Sequence, residues 1–509
     1  MDMKNKRKKQ NKKRNKAASA AIEEKKFFLF WEYNPKSILH NILFLLVAAL
    51  LIASIFSVRA EYCDDKYRYI ANDKDFYIWQ SPYVKQLDAF IKGQLHLDVE
   101  PSEGLLALEN PYDRAERDAY GVQYLWDHTF YNGKYYSYFG VAPVLTVHLP
   151  IYLLTGGAPS DAYAVVVLAV YAAVFLALAY REVMMRFAKK ANLWLFLIGL
   201  CAFWAVSGVF PAIYIASFYN IPVVSALAFS MAFIFFAFRA MRAEKELPRC
   251  ILLVFAALAL GLTVTSRPSV ALMCLPVFAL FIEYLVKNIK SKKREWKKII
   301  ATVASFAVPL IICAGAVMWY NAARFSSPLD FGEKYQLTVN DVSENTLEIN
   351  FILPSVFSYF LYGFWHSEKA PFMEMGGHLV LPHESRYVYA EHYAGAFAYV
   401  LPALAMLFPW VSFGDREKKE RDITKNAFVI SAIIVALFVA YMNFCKAGVN
   451  IRYVCDIVPM LSLVGVSSLL TLCSRGGKVK KAFFAAFCLL AFAVAMYTGY
   501  GMLEILSAK

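Results

Sequence analysis

Apolar residues run through this chain in long blocks separated by short polar stretches. The first block is Ile38–Val58, long enough to cross roughly 30 Å of hydrocarbon as a helix. Ten more follow at 161–180, 192–210, 219–238, 250–266, 268–286, 299–320, 393–412, 426–444, 453–473 and 482–502. The pattern predicts an all-α polytopic membrane protein with about 11 transmembrane helices. Two further runs, Val141–Thr155 and Phe351–Trp365, are too short or too broken to span. They read as interfacial or re-entrant helices. Two long polar segments remain, about 59–160 and about 321–392. Both are rich in tyrosine, and every other connection is short.

Charge orients this layout. The net charge is +14, and residues 4–16 carry nine of the Lys and Arg. Placing the N-terminus in the cytoplasm puts the tail and the loops 181–191, 239–249, 287–298, 415–425 and 475–481 on the inner side. These hold 36 of the 53 Lys and Arg, as the positive-inside rule requires. Both long segments then lie outside, with juxtamembrane helices, and the division becomes 1–37 basic cytoplasmic tail, 38–320 transmembrane core with its first outer loop at 59–160, 321–392 second outer loop, and 393–509 C-terminal transmembrane helices. The basic tail lacks aromatic interleaving, so it reads as a contact for anionic lipid rather than for nucleic acid. Composition agrees with a membrane protein: 59% apolar, 18% charged, mean hydropathy +0.45. The nine cysteines include no CxxC and lie mostly in apolar runs, which leaves at best one disulfide.

Candidate chemistry gathers on the outer side. Asp64, Asp65, Asp73 and Asp75 follow the first span. A carboxylate at a membrane face loses solvation and becomes a better base. Farther on, Trp126-Asp127-His128 enters and Lys134-Tyr135-Tyr136 leaves a turn at Asn132-Gly133, which predicts a hairpin. Thr265-Ser266-Arg267-Pro268 joins two spans almost without a loop and pins one guanidinium at the boundary. Lys446 and Arg452 sit in a second such junction. Arg452 stands four residues before Asp456 and predicts an i, i+4 ion pair. Arg324 opens the second outer loop. His366, His378, His383 and His392 follow among glutamates, but their spacing matches no tight metal pattern.

Several motifs in this order carry a resemblance: Asn110-Pro-Tyr-Asp113-Arg114, Tyr131-Asn-Gly-Lys-Tyr-Tyr, Phe139-Gly…Pro143, Leu153-Leu-Thr-Gly156, Tyr320-Asn-Ala-Ala-Arg-Phe…Ser-Pro…Phe-Gly332 and Arg452-Tyr. Over roughly residues 38–473 the chain resembles the GT-C glycosyltransferases, above all their uncharacterised bacterial members. Protein O-mannosyltransferases and the lipid A aminoarabinose transferase are relatives. The resemblance implies sugar transfer from a polyprenyl-phosphate-linked donor to an envelope glycan, lipid or protein, at the outer face of a bacterial cytoplasmic membrane. The donor leaves as a phosphate, so one carboxylate base suffices and the anomeric centre inverts. The base would come from Asp75, Asp127, Asp65 or Asp64. Arg267, with Arg452 or Lys446, would neutralise phosphate, while His128, Lys134, Tyr135, Tyr136 and Arg324 would line the substrate. The resemblance names no certain cofactor and leaves a divalent metal open. The chain departs from its relatives where Ile78-Trp79-Gln80 precedes Ser81-Pro82-Tyr83, a place at which relatives often carry an acid pair. The resemblance therefore assigns no single acid. Two other functions fit the same topology: a lipid-linked sugar flippase or transporter, and a polysaccharide polymerase or ligase.

Overall fold

The computed structural model describes residues 31–62, 81–291, 295–383, 385–407, 422–474 and 477–507. Asp64, Asp65, Asp73 and Asp75, together with Cys63 and the basic tail before Trp31, lie outside the described residues.

Within them the chain is mostly helical. Eight helices are long and apolar enough to cross a membrane: Ile38–Val58, Asp161–Phe187, Ile221–Arg242, Glu246–Val264, Pro268–Ile289, Trp296–Phe325, Ile423–Ala447 and Lys478–Ile505. The other three expected runs do not form one long helix within the described residues. The 192–210 run forms Leu193–Ala205 and then turns at Gly208, whose backbone is left-handed. The 453–473 run forms Val458–Cys473, because Pro459 restarts the helix beyond the buried Asp456. The 393–412 run breaks into Ala396–Tyr399 and Leu401–Leu407. The break in the last of these falls at Val400, whose backbone takes a positive φ of 63°.

Ile221–Arg242 is the most enclosed of the eight. It packs between Asp161–Phe187 and Glu246–Val264, and Glu246–Val264 packs in turn on Trp296–Phe325. Small residues permit the last approach: a Cβ on Gly261 would stand 2.9 Å from Cys313.

Both short apolar runs are short helices, Val144–Thr155 and Ile349–Leu361. The helix Pro82–Ile91 begins at a Ser81 cap with proline in its first turn. It lies on the start of Val144–Thr155, where the Tyr83 ring stacks on His148 with centroids 5.5 Å apart. The hairpin forms as the turn residues predict. Strands Thr129–Tyr131 and Lys134–Tyr136 pair antiparallel, and Asn132 and Gly133 both take positive φ.

Eight of the nine cysteines are described, and all eight are free. Cys445 is buried in the last turn of Ile423–Ala447.

Candidate active site

The two long polar segments are joined edge to edge. The Asp127 amide donates to the Leu337 carbonyl and the Leu337 amide to the His128 carbonyl, each at 3.0 Å. The Thr129 hydroxyl donates to the Gly332 carbonyl at 3.1 Å. Arg117, fully buried, donates to the carbonyls of Pro111 at 2.6 Å and Thr338 at 2.5 Å. Beneath the hairpin, Phe130 and Tyr135 bury against Leu97, Leu105, Leu125 and Leu337. The same segment docks on the span junction at Thr265. There the Ala142 amide donates to the Thr265 carbonyl at 3.1 Å, and a Cβ on Gly140 would collide with that carbonyl. Only glycine lets the backbone approach so closely.

This docking encloses a cavity of about 830 Å³. Asp127, Arg267, Arg452, Lys446 and Arg324 all line it, although they come from distant parts of the chain. Asp127 takes a left-handed backbone (φ 54°), which an aspartate tolerates better than most residues. Its Oδ2 accepts a short hydrogen bond from the Tyr219 hydroxyl. Burial and the neighbouring Asp127 charge push the Tyr219 phenol well above its ordinary value, so it stays a donor. The Arg452 guanidinium lies 4.6 Å from the centroid of the Tyr219 ring.

The expected Arg452–Asp456 pair does not form. Asp456 is clasped instead by Arg267, whose Nε and Nη2 donate to its two oxygens at 2.8 Å each. Ser269 and Asn443 add donors to Asp456 Oδ2 at 2.8 and 2.9 Å. The i, i+4 rule assumes one continuous helix. Here Ile451–Val454 ends before Asp456, so the two side chains part. Arg452 faces Glu391 at 3.9 Å, and the Glu391 carboxylate also accepts from Tyr389 at 2.8 Å and from Asn450.

The other expected residues divide. Arg324 reaches the cavity but is buried, donating to the Ser137 carbonyl at 2.9 Å and to Asn321 at 3.0 Å, and it lies 3.7 Å from the Tyr320 ring centroid. It ties the end of its helix to the hairpin. His128, Lys134, Tyr135 and Tyr136 stand outside the cavity lining. Burial holds His128 down at about 3, so the ring is neutral and its Nδ1 hydrogen donates to the Trp126 carbonyl at 2.8 Å. Lys134 is exposed in the turn register opposite Tyr131. Tyr136 packs edge-on to Phe325 with centroids 5.3 Å apart.

Sequence reasoning passed over Tyr219, Gln336 and Glu333, all of which line the cavity. Glu333 opens onto the cavity yet is ringed by protein, and this desolvation raises its proton affinity against the opposing charge of Lys446. The signal available for Gln336 and Glu333 was their place just after the Phe331-Gly332 motif. Among the described residues, no three His, Cys, Asp or Glu side chains group as metal ligands.

No known family profile matches the chain, and no curated protein does. Solved structures do match. ArnT from Cupriavidus metallidurans, bound to undecaprenyl phosphate, is 11% identical, with a TM-score of 0.41 over 92% of this chain and 75% of that one. The Archaeoglobus fulgidus oligosaccharyltransferase, tethered to an acceptor peptide, is 13% identical, with a TM-score of 0.40 over 93% of this chain and 55% of that one. The S. cerevisiae Pmt1–Pmt2 protein O-mannosyltransferase complex, bound to its sugar donor, is 12% identical, with a TM-score of 0.29 over 71% of this chain and 44% of that one. All three matches are at low sequence identity and with TM-scores below 0.5.

Proposed function

We propose that this chain is an inverting glycosyltransferase. It moves a sugar from a polyprenyl-phosphate donor to a cell-envelope acceptor at the outer face of a bacterial cytoplasmic membrane. The observation that carries the reading is the convergence of Asp127, Arg267 and Arg452 on one cavity between the spans and the two polar segments. The order of the sequence motifs supports it independently. Val264, Val317, Phe218 and Pro222 give the cavity an apolar side suited to a prenyl chain.

The step balances with these residues alone. The acceptor hydroxyl oxygen bonds to the anomeric carbon while the bond from that carbon to the phosphate oxygen breaks. The electron pair leaves with the phosphate. Asp127 takes the hydroxyl proton on Oδ1, since Tyr219 occupies Oδ2. One displacement inverts the anomeric centre. The departing phosphate gains one negative charge, which Arg452 and Arg267 neutralise. Asp456 already holds two of the Arg267 donors and fixes its plane, so Arg452 supplies most of the uncommitted charge.

The test is transfer from radiolabelled polyprenyl-phosphate hexose in proteoliposomes. Asp127→Asn should lose about 10³-fold in turnover, the scale of a lost general base. Turnover equal to wild type would remove Asp127 from the mechanism. A wild type that only moves the donor across the bilayer would be a transporter.

A further inference from the structure

The cavity has two unlike walls. Val264, Val317, Phe218 and Pro222 make one side apolar, whereas Glu333 and Gln336 from the second polar segment and Lys446 from the last turn of Ile423–Ala447 make another side polar. Among the described residues, none of these three side chains hydrogen bonds to another protein group. Their backbone is nonetheless fixed, because Gln336 bridges to Thr129 and its amide donates to the Glu333 carbonyl at 3.2 Å. Trp126, next in the chain to Asp127, also lines the cavity and is 42% exposed. Tyr124 and Arg114 brace its indole, with centroid distances of 6.3 and 5.7 Å.

From these features we infer that the acceptor is a saccharide, seated on Trp126 and hydrogen bonded by Gln336, Glu333 and Lys446; the inference rests on the transferase reading above. A sugar hydroxyl both donates and accepts. This wall offers a carboxylate that accepts, an ammonium that donates and an amide that does both. A braced, half-exposed indole gives a flat apolar face of the kind a sugar ring can cover. Because Trp126 and Asp127 are consecutive, a ring on the indole lies beside the carboxylate that takes its proton. A peptide acceptor would use an open strand edge, but residues 336 and 337 already pair with 127–129. A lipid acceptor would favour the apolar wall, which the prenyl chain of the donor occupies.

The experiment uses the full chain in nanodiscs and saturation-transfer NMR. The probes are chitotetraose, cellotetraose and mannotetraose, with a serine-containing tetrapeptide as competitor. At least one tetrasaccharide should bind the wild type. Trp126→Ala and Gln336→Ala should each weaken that binding about tenfold, the equivalent of one hydrogen bond or stacking contact. Trp126→Phe should restore most of it, which a merely misfolded site would not do. Failure of every tetrasaccharide to bind, variants that bind as wild type does, or displacement by the tetrapeptide would each overturn the inference. Donor consumption is measured separately on the same samples. A wild type that consumes no donor but binds tetrasaccharide in the Trp126-dependent way would defeat the transferase reading and leave the saccharide site standing.

Discussion

The two ends of the helix bundle use the same side chains for different ends. At the end away from the cavity, Arg186 bridges Glu283 at 2.9 Å and Asp422 at 2.7 Å. Glu182 pairs with Arg242 at 2.9 Å and stands 3.9 Å from Arg239. Lys425 donates to Thr471 at 2.6 Å. These contacts join neighbouring helices, and each charge is answered by another charge or by a hydroxyl. At the cavity end, Arg452 touches an aromatic face and only loosely meets Glu391, while Asp127 keeps one oxygen toward open space. Residue type does not separate structure from chemistry in this molecule. The difference lies in whether a cavity adjoins the charge and whether its partners already saturate it.

Arg267 is the residue that belongs to both kinds, and it gives the sharpest test. It lines the cavity, yet its pair with the fully buried Asp456 is as closed as any at the far end. Arg267→Ala should destabilise the protein by about 3–5 kcal/mol, because it strands a buried carboxylate. A thermal melt in detergent measures this. The double variant Arg267→Met, Asp456→Leu should regain most of that stability and still fail in transfer. If it transfers normally, Arg267 is purely structural.

Arg452→Ala should show the opposite profile. Turnover should fall about 10²-fold, as for a lost electrostatic donor, while the melt moves by no more than about 1 kcal/mol, since its ion pair is long and partly exposed. A large melting shift with normal turnover would place Arg452 among the structural charges.

His128 supplies a test by pH. Its folded-state value of about 3 lies below the roughly 6.5 of an unfolded histidine. The unfolded chain thus takes up a proton that the folded chain refuses, so the stability His128 contributes is lost as pH falls from 6.5 toward 3. Between pH 6.5 and 5 this amounts to about 2 kcal/mol. His128→Asn should flatten that part of the melting curve, and an unchanged slope would mean that the ring is not buried as described.

The smallest effect belongs to the far end. Arg186→Ala should cost about 1 kcal/mol or less, because Arg186 and both of its partners retain solvent, and should leave transfer unaltered. A loss of transfer would mean that the two ends communicate.

Much of the frame was legible in the chain. Apolar runs marked the long helices, Asn132-Gly133 marked the hairpin, and Arg267-Pro268 marked a helix junction at the cavity. The partners at the site were not legible. Tyr219 lies 92 residues from Asp127, and Asp456 lies 189 from Arg267. The local rule that coupled Arg452 to Asp456 failed because the helix stops between them. His128, Lys134, Tyr135 and Tyr136 share a polar, aromatic composition with true lining residues. The fold buries His128 and Tyr135, packs Tyr136 on Phe325 and leaves Lys134 exposed, so none of the four lines the cavity.

The sequence by itself determined where the chain can enter hydrocarbon and where its turns fall, since hydropathy and turn chemistry act over a few residues. Only the tertiary structure decided which charges remain uncommitted. That depends on whether a second segment, far along the chain, brings an opposite charge or leaves a cavity. Asp127 and Asp456 are both single aspartates amid apolar and aromatic neighbours. One is closed by Arg267, Ser269 and Asn443, and the other opens onto the cavity.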